Sequence, residues 1–105
     1  MKLTGKNFVG GRLSSAGSQV FWALDAERGV ELDPDFHEAT QAEIDEVLAN
    51  AARTFDEYRM REPSRRAAFL DTIAENIIKL GDDLIERANV ETALPRDRLI
   101  GERTR

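Results

Sequence analysis

The pattern of apolar and polar positions changes character near residue 37. Residues 1–36 hold five of the seven glycines, Gly5, Gly10, Gly11, Gly17 and Gly29, and most of the strand-favouring residues. Asn7-Phe8-Val9 and Arg12-Leu13 flank Gly10-Gly11, and paired glycines supply the positive φ of a type I′ hairpin turn. Ser14 to Ser18 reads as a second turn, and Gln19 to Leu24 as a short strand with aromatic residues on both faces. Asp25 to Gly29 reads as a third turn, into Val30-Glu31-Leu32. So few strands cannot bury a face alone and must lie against something else.

From Thr40 the period becomes helical. Thr40 and Glu43 form a capping box, with Ile44, Val47, Leu48, Ala51, Phe55 and Tyr58 behind it on one stripe. That helix is expected to run to about Met60, with Pro63 as the break. A second helix opens near Ser64 and carries Phe69, Leu70, Ile73, Ala74, Ile77 and Ile78, with Gly81 as its C′ residue. Asp82 and Asp83 suit the start of a third helix bearing Leu84, Ile85 and Ala88, which Leu94 and Pro95 close. Pro95 then serves as the first residue of a last helix through Leu99 and Ile100. The reading is an α+β unit: a β-ribbon arm over residues 1–36, then a small antiparallel helical bundle over 37–105. Its three helices from 40 to 94 are expected to share a core of Ile44, Val47, Leu48, Phe55, Leu70, Ile73, Ile77 and Leu84.

Charge and composition narrow the chemistry. A formal net charge of −5, with arginines interleaved among acids, leaves no basic patch for nucleic acid. There are no cysteines, so thiolate metal sites, disulfides and a Cys nucleophile are excluded, which fits a reducing compartment. No apolar run approaches the roughly 20 residues that span a bilayer, and no apolar stretch follows the basic start. The cytoplasm is the expected location, with no membrane partner.

The candidate groups each have a plainer reading. His37 stands without a second His or Cys, which favours an ordinary surface histidine over a ligand or base. Glu31, Asp33 and Asp35 alternate along an extended segment but lack the glycine and distal glutamate of a calcium loop. Gly10-Gly11 is followed by neither Lys-Ser nor Lys-Thr and suits a turn better than a phosphate cradle. Glu57 to Arg61 reads as a solvated helix end rather than a peptide-binding one. Phe21 and Trp22 cannot both face one core, so one of them covers a neighbouring surface. No catalytic, cofactor-binding or metal residue emerges.

Three segments in order resemble the N-terminal end of the aldehyde dehydrogenase superfamily. GKNFVGGRLSSAG, Gly5 to Gly17, is similar to its first hairpin. PDFHEATQAEIDEVLANAARTFDEYR, Pro34 to Arg59, is similar to its next helix, opened by A-T-x-x-E-[IV]-D. Arg65 to Arg103 resembles the helices beyond, and Leu94 to Arg103, of the form L-P-x-x-R-L-x-G-E-R, narrows the likeness. It is closest to the NADP-dependent branch acting on α-ketoglutaric semialdehyde and related fatty or sugar-acid aldehydes. Ala93 departs from the family's glycine, Asp25-Ala26 from a common Asn-Pro, and Thr104 from a common glycine. A tighter or more helical turn is expected at Ala93.

The resemblance implies a parent enzyme that oxidises a semialdehyde to a carboxylic acid with NAD(P). It also implies a continuation past Arg105 into a Rossmann-like cofactor domain, a catalytic domain with a Cys nucleophile and Glu base, and an oligomerisation arm. The stop within a helix just begun then reads as a truncation, proteolysis or a frameshifted gene. No family site residue falls within these 105 positions, and the segment alone is expected to be inactive and to bind no cofactor. Its apolar faces should be uncovered at Phe8, Val9, Phe21 or Trp22, Ile78, Leu99 and Ile100. They should meet the remainder of the parent enzyme or drive self-association. The alternative is a stand-alone helical protein-interaction module.

Overall fold

Paired glycines turn the chain where their spacing demands it. The computed structural model describes residues 2–105, and in it Asn7–Val9 (β1) and Arg12–Ser14 (β2) form an antiparallel hairpin across Gly10 and Gly11. Both glycines have positive φ, 55° and 82°, as the turn type requires. The register sets Phe8 opposite Leu13 and Val9 opposite Arg12. A second antiparallel pair joins Val20–Leu24 (β3) to Glu31–His37 (β4). Four helices follow: Gln41–Arg59 (α1), Pro63–Lys79 (α2), Gly81–Thr92 (α3) and Arg96–Arg103 (α4). The class is α+β, as expected.

Strand β4 is longer than the Val30–Leu32 reading and runs through Pro34. In a two-stranded sheet each strand has an open edge, so a proline's missing N–H can fall where no ladder bond is required. Pro63 is the first residue of α2 rather than a break ahead of it, a position where the absent donor is harmless. Pro95 stands one place earlier than anticipated, as the N-cap of α4 with ψ at 139°.

The chain forms two compact units that interleave its segments instead of dividing near residue 37. One comprises Leu3–Trp22 and Pro34–Glu62, hence the first hairpin and α1. Its buried apolar residue is Val9, 1 % exposed, where β1 meets α1. Its irregular part is held by close backbone approach. His37 N–H donates to the Gly5 carbonyl (2.9 Å), and Glu38 N–H to that of Gln19 (2.9 Å). A Cβ at Gly5 would fall 1.7 Å from the Asp35 carbonyl oxygen, and one at Gly17 1.8 Å from that of Glu38. Only glycine fits at either place.

The other unit comprises Ala23–Asp33 and Pro63–Arg105. The Asp25 carboxylate accepts from the N–H groups of Glu27 (3.0 Å) and Arg28 (2.9 Å), closing the turn that joins β3 to β4. Ala26 N–H donates to the Val90 carbonyl (2.9 Å), and Arg87 donates to that of Asp33 (2.6 Å), tying this turn and β4 to α3. The buried apolar residue here is Ile85, 2 % exposed. Arg103 donates to the Gly81 carbonyl (2.9 Å), and Arg96 reaches Asp82 (3.5 Å) and Glu86 (3.6 Å).

The shared three-helix core does not form. Ile44, Val47, Leu48, Phe55, Leu70, Ile73 and Ile77 are all exposed, and Leu84 is half-buried. α1 belongs to one unit and α2 to α4 to the other. The stripes are real as helical faces, but periodicity fixes which residues share a face and not whether another element covers it. Val9, expected to be open, is buried instead where β1 meets α1, while its neighbour Phe8 stays exposed.

Ala93 caps α3 in the left-handed region at φ 54°, the only non-glycine residue with positive φ among those described. The conformation that a glycine would adopt is therefore kept, with an alanine bearing the strain, rather than replaced by a tighter helix. Ala93→Gly should stabilise the protein by roughly 0.5–1 kcal/mol, since relief of strain exceeds the added unfolded-chain freedom. Gly17→Ala should destabilise it by upward of about 2 kcal/mol, because backbone must move to admit the methyl. Urea unfolding of the two variants checks both, and equal midpoints would contradict them.

Candidate functional site

The polar groups singled out in the sequence do not converge. His37 Nδ1 lies 2.9 Å from the Gly17 carbonyl oxygen, which can only accept, so this nitrogen carries the hydrogen. The His37 carbonyl in turn accepts from Asn7 Nδ2 (3.1 Å). The histidine is thus a clasp joining three segments, half-buried rather than the plain surface residue expected. Asp33 and Asp35 use their backbone carbonyls structurally, the first accepting from Arg87 and the second lying against Gly5. Among the described residues no group of three His, Cys, Asp or Glu side chains is placed to hold a metal ion.

The end of α1 behaves as a solvated terminus. Arg61 pairs with Glu57, Arg59 with Asp56 at 2.8 Å, and the Arg59 guanidinium lies 5.9 Å from the Phe55 ring centre. Phe21 stacks on Phe36 with ring centres 5.7 Å apart, yet Phe21 and Trp22 both remain exposed.

The start of α1 is the most elaborated polar feature. Thr40 Oγ1 accepts from Glu43 N–H (3.2 Å), and Glu43 Oε2 accepts from Thr40 N–H (2.7 Å) and Thr40 Oγ1 (3.0 Å). This reciprocal cap satisfies helix-end donors that would otherwise be orphaned. Glu43 is 5 % exposed, and its Oε1 is sealed from solvent without a fully formed hydrogen bond. The nearby Ser14 hydroxyl is the main influence lowering the Glu43 pKa. The Thr40 N–H adds to it and the charge of Arg12 contributes least, while burial opposes them. Arg12 itself is bonded to Glu46 at 2.7 Å, tying the hairpin to α1.

Beside this cap, β1 and α1 enclose an open hollow of about 270 Å³ walled by Phe8, Val9, Ile44, Val47 and Leu48. Phe8 is 81 % exposed and Leu48 64 %. On α2, Phe69, Leu70, Ile73, Ile77 and Ile78 are also exposed, and no residue of that helix is buried. Ile100 is exposed and Leu99 half-buried. Monomeric proteins rarely leave contiguous apolar patches beyond a few hundred Å² in water, and larger ones mark interaction surfaces. The most prominent surface features among the described residues are therefore apolar faces. Among the described residues no helix is long and apolar enough to cross a membrane.

Comparison with known proteins agrees with the resemblance drawn from the motifs. No family model matches. The chain is 42 % identical over 106 residues to α-ketoglutaric semialdehyde dehydrogenase 2 of Azospirillum brasilense, a match covering all of this chain and 20 % of that protein. It is 36 % identical over 98 residues to α-ketoglutaric semialdehyde dehydrogenase of Acinetobacter baylyi, covering 93 % of this chain and 19 % of that one. The chain thus spans about a fifth of the length of the curated relatives it matches. Its likeness is to an N-terminal segment of the aldehyde dehydrogenase branch.

Because the folded state lowers the Glu43 pKa below its usual 4.5, ionised Glu43 contributes stability above that pH. That contribution should fade as pH falls through 4.5 and below, towards the folded value. Glu43→Gln should flatten this part of the pH dependence, as read from urea midpoints. Parallel pH curves for the two proteins would show that the carboxylate is not held in this way.

Proposed function

We propose that these residues form the N-terminal structural segment of an NAD(P)-dependent aldehyde dehydrogenase that oxidises a semialdehyde to a carboxylic acid. The observation that carries this reading is the 42 % identity running through the whole chain to an α-ketoglutaric semialdehyde dehydrogenase. The uncovered apolar faces of α1 and α2 support it, since a segment that packs against a larger body leaves such faces open when considered alone. Cytoplasmic location and assembly into an oligomer follow from the same reading.

Within the enzyme the segment contributes no chemistry of its own. Oxidation through a thioester needs a thiol, and the chain has no cysteine. The described residues do not fit a nicotinamide dinucleotide. Gly10 and Gly11 lead into a strand instead of a helix N-terminus, so they present no row of amides to a pyrophosphate. The N-termini of α1, α3 and α4 carry Glu43, Asp82 with Asp83, and Asp97 in their first turns, which repel phosphate. α2 opens on Pro63, which removes one of its free amides, and no glycine-rich turn leads into it. The segment's part is to fold, cover and support.

The test is a chimera in which this chain replaces the matching residues of the Azospirillum brasilense protein, assayed beside the 105-residue chain alone. The chimera should reduce NAD+ or NADP+ in the presence of α-ketoglutaric semialdehyde, and the isolated chain should not exceed a buffer control. Cofactor reduction by the isolated chain that survives repurification, or a chimera that does not fold, would contradict the reading.

A further inference from the structure

We infer that the hollow between β1 and α1 is the seat of an apolar segment from the remaining part of the same polypeptide. This deepens the proposed function and rests on it. The walls are mainly aliphatic and aromatic, with Phe8 and Val9 on β1 and Ile44, Val47 and Leu48 on α1, and Asn7, Ala39 and Glu43 complete the lining. About 270 Å³ has room for more than one aliphatic side chain, which is the footprint of two neighbouring apolar residues on one helix or strand face. The floor is already organised. Val9 is fully buried, the Thr40–Glu43 cap fixes the start of α1, and the Arg12–Glu46 pair holds the hairpin against the helix. An arriving segment therefore meets a preformed surface with little to reorganise.

Two observations choose the occupant. The matched relatives are about five times as long as this chain, so some four fifths of such a protein lies outside these residues and is available to fill the hollow. A second copy of this chain is the poorer candidate, because each copy carries a formal charge of −5 and like charges oppose association. Phe8 and Leu48 are then the anchors: the most exposed of the large apolar wall residues, they stand on opposite walls and would gain most by being covered.

Leu48→Arg and Phe8→Ser test the assignment in two settings, the isolated chain and the chimera described above. Both side chains are exposed, so in the isolated chain helicity and melting midpoint should be unchanged. In the chimera each substitution should lower the midpoint by several degrees, Leu48→Arg more, because it buries an unpaired charge. Chimeras that melt like the unsubstituted one would overturn the inference while leaving the proposed function standing. So would light scattering showing that the isolated chain is a dimer which Leu48→Arg dissociates, for the occupant would then be a second copy. An unsubstituted chimera that fails to fold would remove the proposed function and this inference with it.

Discussion

A chain of this size must put its apolar surface somewhere, and here the supply exceeds what its own elements cover. Val9 and Ile85 are the large apolar residues fully withdrawn from water among those described. The stripes of α1 and α2, built on regular three- and four-residue spacing, face outward. Burial of apolar area is the dominant favourable term in folding, so this surplus governs how every other feature is to be understood. The caps, clasps and ion pairs hold local shape, while the stripes of α1 and α2 stay exposed.

What stands in place of a large core is a set of local backbone fastenings. In one unit, His37 joins segments through its main chain and its ring, and Gly5 and Gly17 permit an approach that any side chain would block. In the other, the Asp25 turn is bonded to α3, and Arg87 and Arg103 are spent on backbone carbonyls. These are polar solutions to a packing problem, each satisfying groups that would otherwise be left unpaired. The ring of His37 and the backbone carbonyl of Asp33 are both tied into the fold in this way.

The features legible in the sequence were those decided by near neighbours. The Gly10-Gly11 hairpin, the Thr40–Glu43 cap, the Asp25 turn and the positive φ of Gly81 each depend on a few adjacent residues, and all appear where they were read. The core was not legible. Phe8 and Val9 are neighbours of similar character, and only the approach of α1 decides that Val9 is covered and Phe8 is not. Likewise the Ile73 and Ile77 stripe has the same pattern whether its partner is another helix of this chain or a body beyond it. His37 as a clasp was hidden because its partner, the Gly17 carbonyl, is distant in sequence and leaves no trace in composition.

The most direct test of the central claim, that the α1 and α2 faces are interfaces to a larger body, is amide hydrogen exchange on the isolated chain and on the full-length chimera. The account predicts that amides of Val47 to Phe55 and Leu70 to Ile78 exchange readily in the isolated chain and become strongly protected in the chimera. Equal protection in both would mean that these helices are already as stable alone as they will ever be, and would contradict the account.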